Sequence, residues 1–118
     1  MTGLKTRIET PFVRESLAFY VDYLGMTVLQ SWDDGNGAIL GLGPSVHSEA
    51  FLELAYTDTA PAYRGLSLQF RVDDLSAIVE KLRGRVAFRG PTPRPWGSTY
   101  LYLDDPTGIQ VILYEGDL

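Results

Sequence analysis

The sequence has no cysteine and only one histidine, His47. The absence of cysteine excludes disulfides, zinc–thiolate sites and cysteine nucleophiles. A nucleophile motif of the GxSxG type is also missing. The chain therefore lacks cysteine-based nucleophiles and zinc ligands, and its serines stand in no nucleophile motif.

Excess positive charge and long apolar runs are missing as well. The formal net charge of −5 argues against a nucleic-acid partner, for which a basic surface is expected. No apolar run approaches the roughly 20 residues that span a membrane, and MTGLKTRIET lacks the apolar centre of a signal peptide. We expect a cytoplasmic protein with no membrane partner. Its 118 residues, 45% of them hydrophobic, suffice for one compact domain, residues 1–118.

The first half of the chain shows one strand, one helix and three further strands. Side chains alternate between apolar and polar over residues 4–9, which predicts a strand. A helix follows in RESLAFYVDYLG, and TVLQSW, AILGL and AFLELAY then read as strands. The helix has apolar residues at the i, i+3, i+4 and i+7 positions Leu17, Tyr20, Val21 and Leu24.

The second half repeats this order. GLSLQFRV is a predicted strand, and either Asp73 or Asp74 is positioned to cap the next helix. RVAFRG is a predicted short strand, PTPRPWG a loop, and STYLYLDD and GIQVILYE a hairpin around DPTG. We therefore predict an α+β fold of two paired βαβββ modules, residues 1–57 and 65–118. One module cannot cover its own sheet, so the two should share a structure.

Strand periodicity separates an apolar face from a polar one. The apolar face, predicted to pack on the helices, comprises Leu4, Ile8, Leu52, Leu54, Leu66, Leu68, Phe70, Val111 and Leu113. The opposite face comprises Lys5, Arg7, Glu9, Phe51, Glu53, Ser67, Gln69, Arg71, Gln110, Ile112 and Tyr114. A hairpin that pairs Leu101 with Val111 adds Tyr100 and Tyr102 to it. Such a face is either exposed to water or the lining of a ligand cleft, which its aromatic residues and mixed charges favour.

These segments resemble the vicinal oxygen chelate superfamily of glyoxalase I, extradiol dioxygenases, fosfomycin-resistance enzymes and bleomycin-resistance proteins. The resemblance lies in SLAFYVDYLGMTVL, AFLELAY, SLQFRVDDLSAIVEKL and RPWGSTYLYLDDPTGIQVILYE. It implies paired βαβββ modules whose sheets curl around a ligand cleft, and usually a homodimer. In metal-dependent members four ligands lie on the concave face, and the matching positions here are Lys5, Glu53, Ser67 and Ile112. Only Glu53 is a plausible ligand, so we expect neither a metal nor another cofactor.

Two features suggest what the cleft does instead. Lys5 can extend toward Glu53 and supply a positive charge where the metal would lie, although both could be solvated surface charges. Aromatic residues, which also serve in cores and dimer interfaces, provide stacking surfaces on the cleft or at its rim. These are Trp32, Phe51, Trp96, Tyr100, Tyr102 and Tyr114.

The metal-free bleomycin-resistance proteins resemble this chain most closely in character, and a WG pair stands in them at the place of Trp96. We therefore expect binding of a small organic molecule, by sequestration of a drug or metabolite. A divergent lyase or isomerase is the alternative, with Glu53 or Glu9 as general base beside Lys5 or Arg7. A structural subunit without a small ligand is a third class. The positive charges Lys5, Arg7 and Arg71 suit a carboxylate or phosphate at least as well as a cationic drug.

Overall fold

A computed structural model describes all 118 residues and divides them into two compact units, Met1–Pro61 and Ala62–Leu118. Each unit has the order strand, helix, three strands, and each forms its own four-stranded mixed sheet. The predicted α+β fold of two βαβββ modules is confirmed. None of the helices has the length and apolar composition that a membrane span requires.

The sheet of the first unit has the order β1-β4-β3-β2. Strand β1 runs parallel to β4, and the other neighbours are antiparallel. Helix α1 continues directly into a π-helical segment, and a 3₁₀ turn, Asp33–Gly35, joins β2 to β3. The bounds are β1 Leu4–Thr10, α1 Val13–Leu17, the π-helix Ala18–Tyr23, β2 Thr27–Trp32, β3 Gly37–Gly41 and β4 Ala50–Tyr56.

The sheet of the second unit repeats this topology in the order β5-β8-β7-β6, again with one parallel pair, β5 and β8. Its helix, α2, precedes three strands that pair antiparallel as β6-β7 and β7-β8. The bounds are β5 Ser67–Arg71, α2 Leu75–Leu82, β6 Arg89–Pro93, β7 Ser98–Asp104 and β8 Gln110–Gly116.

The first helical region differs from its predicted form. The buried residues are Val13, Ser16, Phe19 and Tyr20, whereas three members of the predicted apolar stripe, Leu17, Val21 and Leu24, are only half-buried. For Val21 and Leu24 the cause is the π-helical geometry, in which the Leu24 N–H donates to the Phe19 carbonyl at 3.1 Å, an i to i+5 bond. A stripe drawn at 3.6 residues per turn no longer follows one face in such a segment. Leu17 ends α1 before this segment, and the geometry does not account for its partial exposure.

Helix α2 agrees with its prediction, and Asp74 is the residue that caps it. Its Oδ1 accepts a hydrogen bond from the Ala77 N–H at 3.1 Å. Leu75, Val79 and Leu82 are buried and Ile78 is half-buried, as the i, i+3, i+4, i+7 spacing predicts.

Five of the nine residues of the predicted apolar faces are buried, Leu68 and Phe70 of β5 are half-buried, and two residues at strand ends are exposed. Ile8, Leu52, Leu54, Val111 and Leu113 are at most 2% exposed. Leu4 is 67% exposed and Leu66 is 39% exposed, so their predicted burial is wrong. Leu4 begins β1 and Leu66 precedes β5. Alternation assigns a side chain to a face but does not say whether that end of the face is covered.

The last three strands correct two further predictions. Strand β6 begins at Arg89, later than the predicted RVAFRG strand, and extends into the predicted loop as far as Pro93. Proline fits there because β6 is an edge strand that pairs only with β7. In the hairpin, Leu101 lies opposite Leu113, not Val111. This shift of two residues preserves the faces, because side chains alternate with a period of two.

Candidate functional site

The polar face of the first unit carries a chain of charges on two adjacent parallel strands. The register of β1 and β4 places Arg7 directly beside Glu53 and Lys5 beside Phe51. The Arg7 Nη1 donates to Glu53 Oε2, and Lys5 Nζ lies 3.8 Å from Glu53 Oε1. Glu9 Oε1 lies 3.7 Å from Arg7 Nε. Two cations and two carboxylates therefore balance on this face.

Glu53 is the most enclosed member of this charge chain. Its side chain is 13% exposed, against 54% for Lys5 and 52% for Arg7. A carboxylate with so little access to water needs charged partners, and here each oxygen has one. The predicted approach of Lys5 to Glu53 is confirmed, but Arg7 makes the closer contact. Glu9, the second candidate base, has a 50% exposed side chain.

Trp32 lies on the same face at the outer strand, β2. A row across the sheet runs from Glu9 through Ala55 and Gly37 to Trp32. A Cβ atom added to Gly37 would lie 2.1 Å from Trp32 Cε2 and 2.2 Å from its Nε1. The indole thus lies directly against the Gly37 backbone, in space that any other residue would fill. Trp32 and Phe51 are both half-buried.

The second unit presents an aromatic face built from β5, β8, β7 and the turn before β7. One cross-strand row contains Arg71, Tyr114 and Tyr100, and the next contains Gln69, Ile112 and Tyr102. Ser67 lies beside Gln110. The predicted residues of this unit that share the face are Ser67, Gln69, Arg71, Tyr100, Tyr102, Gln110, Ile112 and Tyr114.

Tyr100 is the centre of the aromatic contacts. Its ring centroid lies 5.6 Å from that of Trp96, 5.9 Å from Tyr102 and 6.0 Å from Tyr114. The Trp96 ring meets it edge-on, at 77°. The Tyr100 hydroxyl donates to Gln69 Oε1 at 3.3 Å. Trp96 remains 44% exposed, so this cluster keeps an open stacking surface.

Two arginines that the sequence analysis did not select extend the aromatic cluster. The Arg94 guanidinium carbon lies 4.9 Å from the Trp96 ring centroid and 5.9 Å from that of Tyr100. Arg89 lies 5.9 Å from the Tyr102 ring centroid. Arg94 enters through the turn of PRPWG, in which its N–H donates to the Ser98 carbonyl at 2.7 Å. In the sequence, the only indication that Arg94 belongs to this cluster is its position two residues before Trp96.

The four positions that match the family's metal ligands do not fit a metal. In the first unit, Glu53 is held by two cations, and the ammonium of Lys5 has no lone pair to donate. In the second unit, Ile112 has no donor atom and is 5% exposed. The Ser67 hydroxyl is buried without a hydrogen-bond partner, but one neutral hydroxyl is a poor ligand set. His47 is exposed in the loop before β4. No group of three or more histidine, aspartate or glutamate residues is placed to hold a metal ion.

Comparison with known proteins gives consistent relationships over nearly the whole chain. The family model of the Glyoxalase/Bleomycin resistance protein/Dioxygenase superfamily matches residues 6–113. The lactoylglutathione lyase of Salmonella typhimurium is 30% identical over 128 aligned positions, which cover 98% of this chain and 93% of that protein.

Solved structures show the same fold. TnmS3, an antibiotic-binding protein from Streptomyces sp. CB03234, is 26% identical with a TM-score of 0.76, covering 99% of this chain and 97% of that one. A bleomycin-binding protein in complex with bleomycin is 21% identical with a TM-score of 0.69, covering 99% of this chain and 100% of that one.

Proposed function

Because the chain belongs to the Glyoxalase/Bleomycin resistance protein/Dioxygenase superfamily, we propose that it binds a small organic molecule without the family metal and acts by sequestration. The observation that carries the proposal is the aromatic cluster around Tyr100, which combines stacking rings with a partly exposed tryptophan. Binding by stacking needs no metal and no reactive group. Resistance to a drug or a toxic metabolite is the role that fits such binding.

The charges of the first unit support binding over metal-dependent catalysis. Both oxygens of Glu53 are engaged by cations, Lys5 on one and Arg7 on the other. The matching positions offer only the cation-paired carboxylate of Glu53 and the hydroxyl of Ser67, so the proposal involves no bound cation that would polarise a substrate oxygen. TnmS3, similar over almost the full length, is an antibiotic-binding protein, which supports the same interpretation.

We propose the polar faces of both sheets as the ligand-binding surfaces. In the first unit the residues are Lys5, Arg7, Trp32, Phe51 and Glu53. In the second they are Ser67, Gln69, Arg71, Trp96, Tyr100, Tyr102, Gln110, Ile112 and Tyr114. The homodimer and the cytoplasmic location that we expect from the sequence belong to the same proposal. Light scattering after gel filtration tests the dimer, which a monomer at micromolar concentration would contradict.

The test of sequestration is a thermal-shift screen of small organic molecules, followed by calorimetry of the compounds that stabilise the protein. A ligand at 100 times its Kd should raise the free energy of unfolding by about 2.7 kcal/mol. We expect saturable binding at a fixed stoichiometry and recovery of unchanged compound after long incubation. Chemical conversion of the bound compound would refute sequestration, and absence of any stabilising compound would refute ligand binding.

A divergent lyase or isomerase is the second candidate, favoured by the 30% identity to lactoylglutathione lyase. In this mechanism Glu53 or Glu9 removes a proton from an acidic C–H group of the substrate, and Lys5 or Arg7 stabilises the negative charge that develops. Formation of S-lactoylglutathione from the hemithioacetal of methylglyoxal and glutathione tests it directly, with Glu53→Gln and Glu9→Gln as matched variants. Turnover that one substitution abolishes would establish the enzyme, whereas sequestration predicts no turnover by the parent protein.

A further inference from the structure

The arginines of the second unit point to a ligand of one charge class. We infer that the face formed by Arg71, Arg94, Trp96, Tyr100 and Tyr114, here called the Arg–Tyr face, binds a planar aromatic anion such as an aromatic carboxylate or phenolate. The inference rests on the proposed function, since it names the class of molecule that the aromatic cluster would hold.

The first argument is the charge that remains on this face after its ion pairs are formed. Arg89 Nη1 lies 3.6 Å from Asp104 Oδ2, so these two charges compensate each other. Arg71 and Arg94 form no ion pair, and Arg94 Nε is buried without a hydrogen-bond partner. Asp117 approaches Gly97 in the adjacent turn but is not paired with Arg94. Two uncompensated guanidiniums therefore stand on a protein whose net charge is −5.

The second argument is the geometry of Arg94. Its guanidinium lies over Trp96 and Tyr100 at 4.9 and 5.9 Å from their ring centroids. This contact restrains the planar group beside the stacking surface, so little side-chain entropy is lost when it binds an anion. A guanidinium offers paired N–H donors that match a carboxylate. An aromatic ring stacked on Tyr100 would thus bring an attached acid group within reach of Arg94.

The third argument is the row across the sheet that connects the two arginines. Arg71, Tyr114 and Tyr100 occupy neighbouring strands β5, β8 and β7. Arg71 therefore lies at one end of the pair of tyrosines, and Arg94 covers the Tyr100 end. A flat ring system with a negative group fits this row, whereas a cationic ligand would meet two unpaired positive charges.

Three probes of equal ring size test the charge class: 2-naphthoate, the neutral 2-naphthamide and the cationic 2-naphthylmethylammonium. Calorimetry at constant ionic strength should give 2-naphthoate an affinity roughly ten- to a hundredfold above that of the amide, the range expected for charge-assisted hydrogen bonds. The ammonium compound should bind more weakly than the amide.

Variants of the parent protein locate the effect. Arg94→Met should lower 2-naphthoate affinity about tenfold or more and leave 2-naphthamide within about twofold. Arg94→Lys should have a 2-naphthoate affinity between those of the parent protein and Arg94→Met, because lysine keeps the positive charge but lacks the planar pair of N–H donors. Arg71→Met should also lower 2-naphthoate affinity more than 2-naphthamide affinity. Because Arg71 is exposed and does not contact Trp96, this variant tests the charge without disturbing the stacking surface. Arg64→Met is the matched control, since Arg64 is exposed outside this face.

The outcomes separate this inference from the proposed function. Equal binding of amide and naphthoate, preference for the ammonium compound, or naphthoate affinity insensitive to both Arg94→Met and Arg71→Met would overturn the anion inference while small-molecule binding stands. Failure of all three probes at millimolar concentration would also overturn it. The proposed function would be overturned by failure of the entire thermal-shift screen or by chemical conversion of the bound compound, and neither outcome depends on the charge of the probes.

Discussion

The contact between Trp32 and Gly37 allows a direct test of where the Trp32 indole lies on the polar face of the first unit. A Cβ atom at position 37 would lie 2.1, 2.2 and 2.5 Å from three indole atoms. Carbon atoms in contact normally lie about 3.5–4.0 Å apart, so Gly37→Ala must push the indole outward by about 1.4 Å. Overpacking of this kind typically costs about 1–3 kcal/mol. The loss of backbone freedom in the unfolded state offsets about 0.4–1 kcal/mol of that cost, so the net loss spans about 0–2.6 kcal/mol and we expect about 1.3 kcal/mol from the midpoints.

Urea unfolding followed by far-ultraviolet circular dichroism measures this loss without depending on tryptophan fluorescence. Gly43→Ala is the matched control, because its Cβ would meet Val46 Cγ2 at an ordinary 3.5 Å, and we expect a change within about 0.5 kcal/mol. In a Trp32→Ala background Gly37→Ala should become neutral or stabilising. The coupling between the two substitutions should therefore be at least about 1 kcal/mol. A cost equal to that of Gly43→Ala, or an undiminished cost without the indole, would refute the contact.

Three further predictions concern the charges and the metal. Arg7→Met should lower the free energy of unfolding by about 1–2 kcal/mol, because it leaves the poorly exposed Glu53 with only one cation. Lys5→Met should lower it by less than about 1 kcal/mol. Equal losses for the two variants in urea unfolding would contradict the closer contact of Arg7 with Glu53. In the same assay, Asp74→Ala should lower the free energy of unfolding by about 1 kcal/mol through loss of the helix cap, and Asp73→Ala by less than about 0.5 kcal/mol. A larger loss for Asp73→Ala would assign the cap to Asp73. Protein purified from medium containing zinc, nickel, manganese and iron should carry far less than one equivalent of metal by mass spectrometry; one equivalent per chain would refute metal independence.

The sequence predicts the faces of the strands better than it predicts their partners. Tyr100 and Tyr102 lie on the predicted face although the hairpin register differs by two residues, because only an odd shift would invert them. The closer partner of Glu53, in contrast, could not be predicted from the sequence. Arg7 pairs with it because β1 and β4 run parallel in one particular register, and the chain between the two strands is too long for local sequence to specify that register.

Irregular backbone accounts for most of what the sequence could not predict. Helical periodicity assigns Val21 and Leu24 to the core, but Val21 lies within the π-helical segment Ala18–Tyr23 and Leu24 directly follows it, so neither keeps the position that 3.6 residues per turn would give it. Arg94 joins the aromatic cluster through a turn, where neither the strand nor the helix period gives a direction for its side chain. The sequence therefore places Arg94 near Trp96, two residues away, but only the structure shows that its guanidinium lies over the rings.

The positions that match the family's metal ligands depart from a metal site differently in each unit, and this difference bears on the proposed function. In the first unit, the row that contains Arg7 and Glu53 keeps a carboxylate but neutralises it with cations. The corresponding row of the second unit, Gln69 and Ile112, has no charge at all. A single substitution at Glu53 or Ile112 cannot reverse both changes. The unpaired positive charge of the chain's sheet faces now lies beside the tyrosines of the second unit, where a ligand's own negative charge would be needed to balance it.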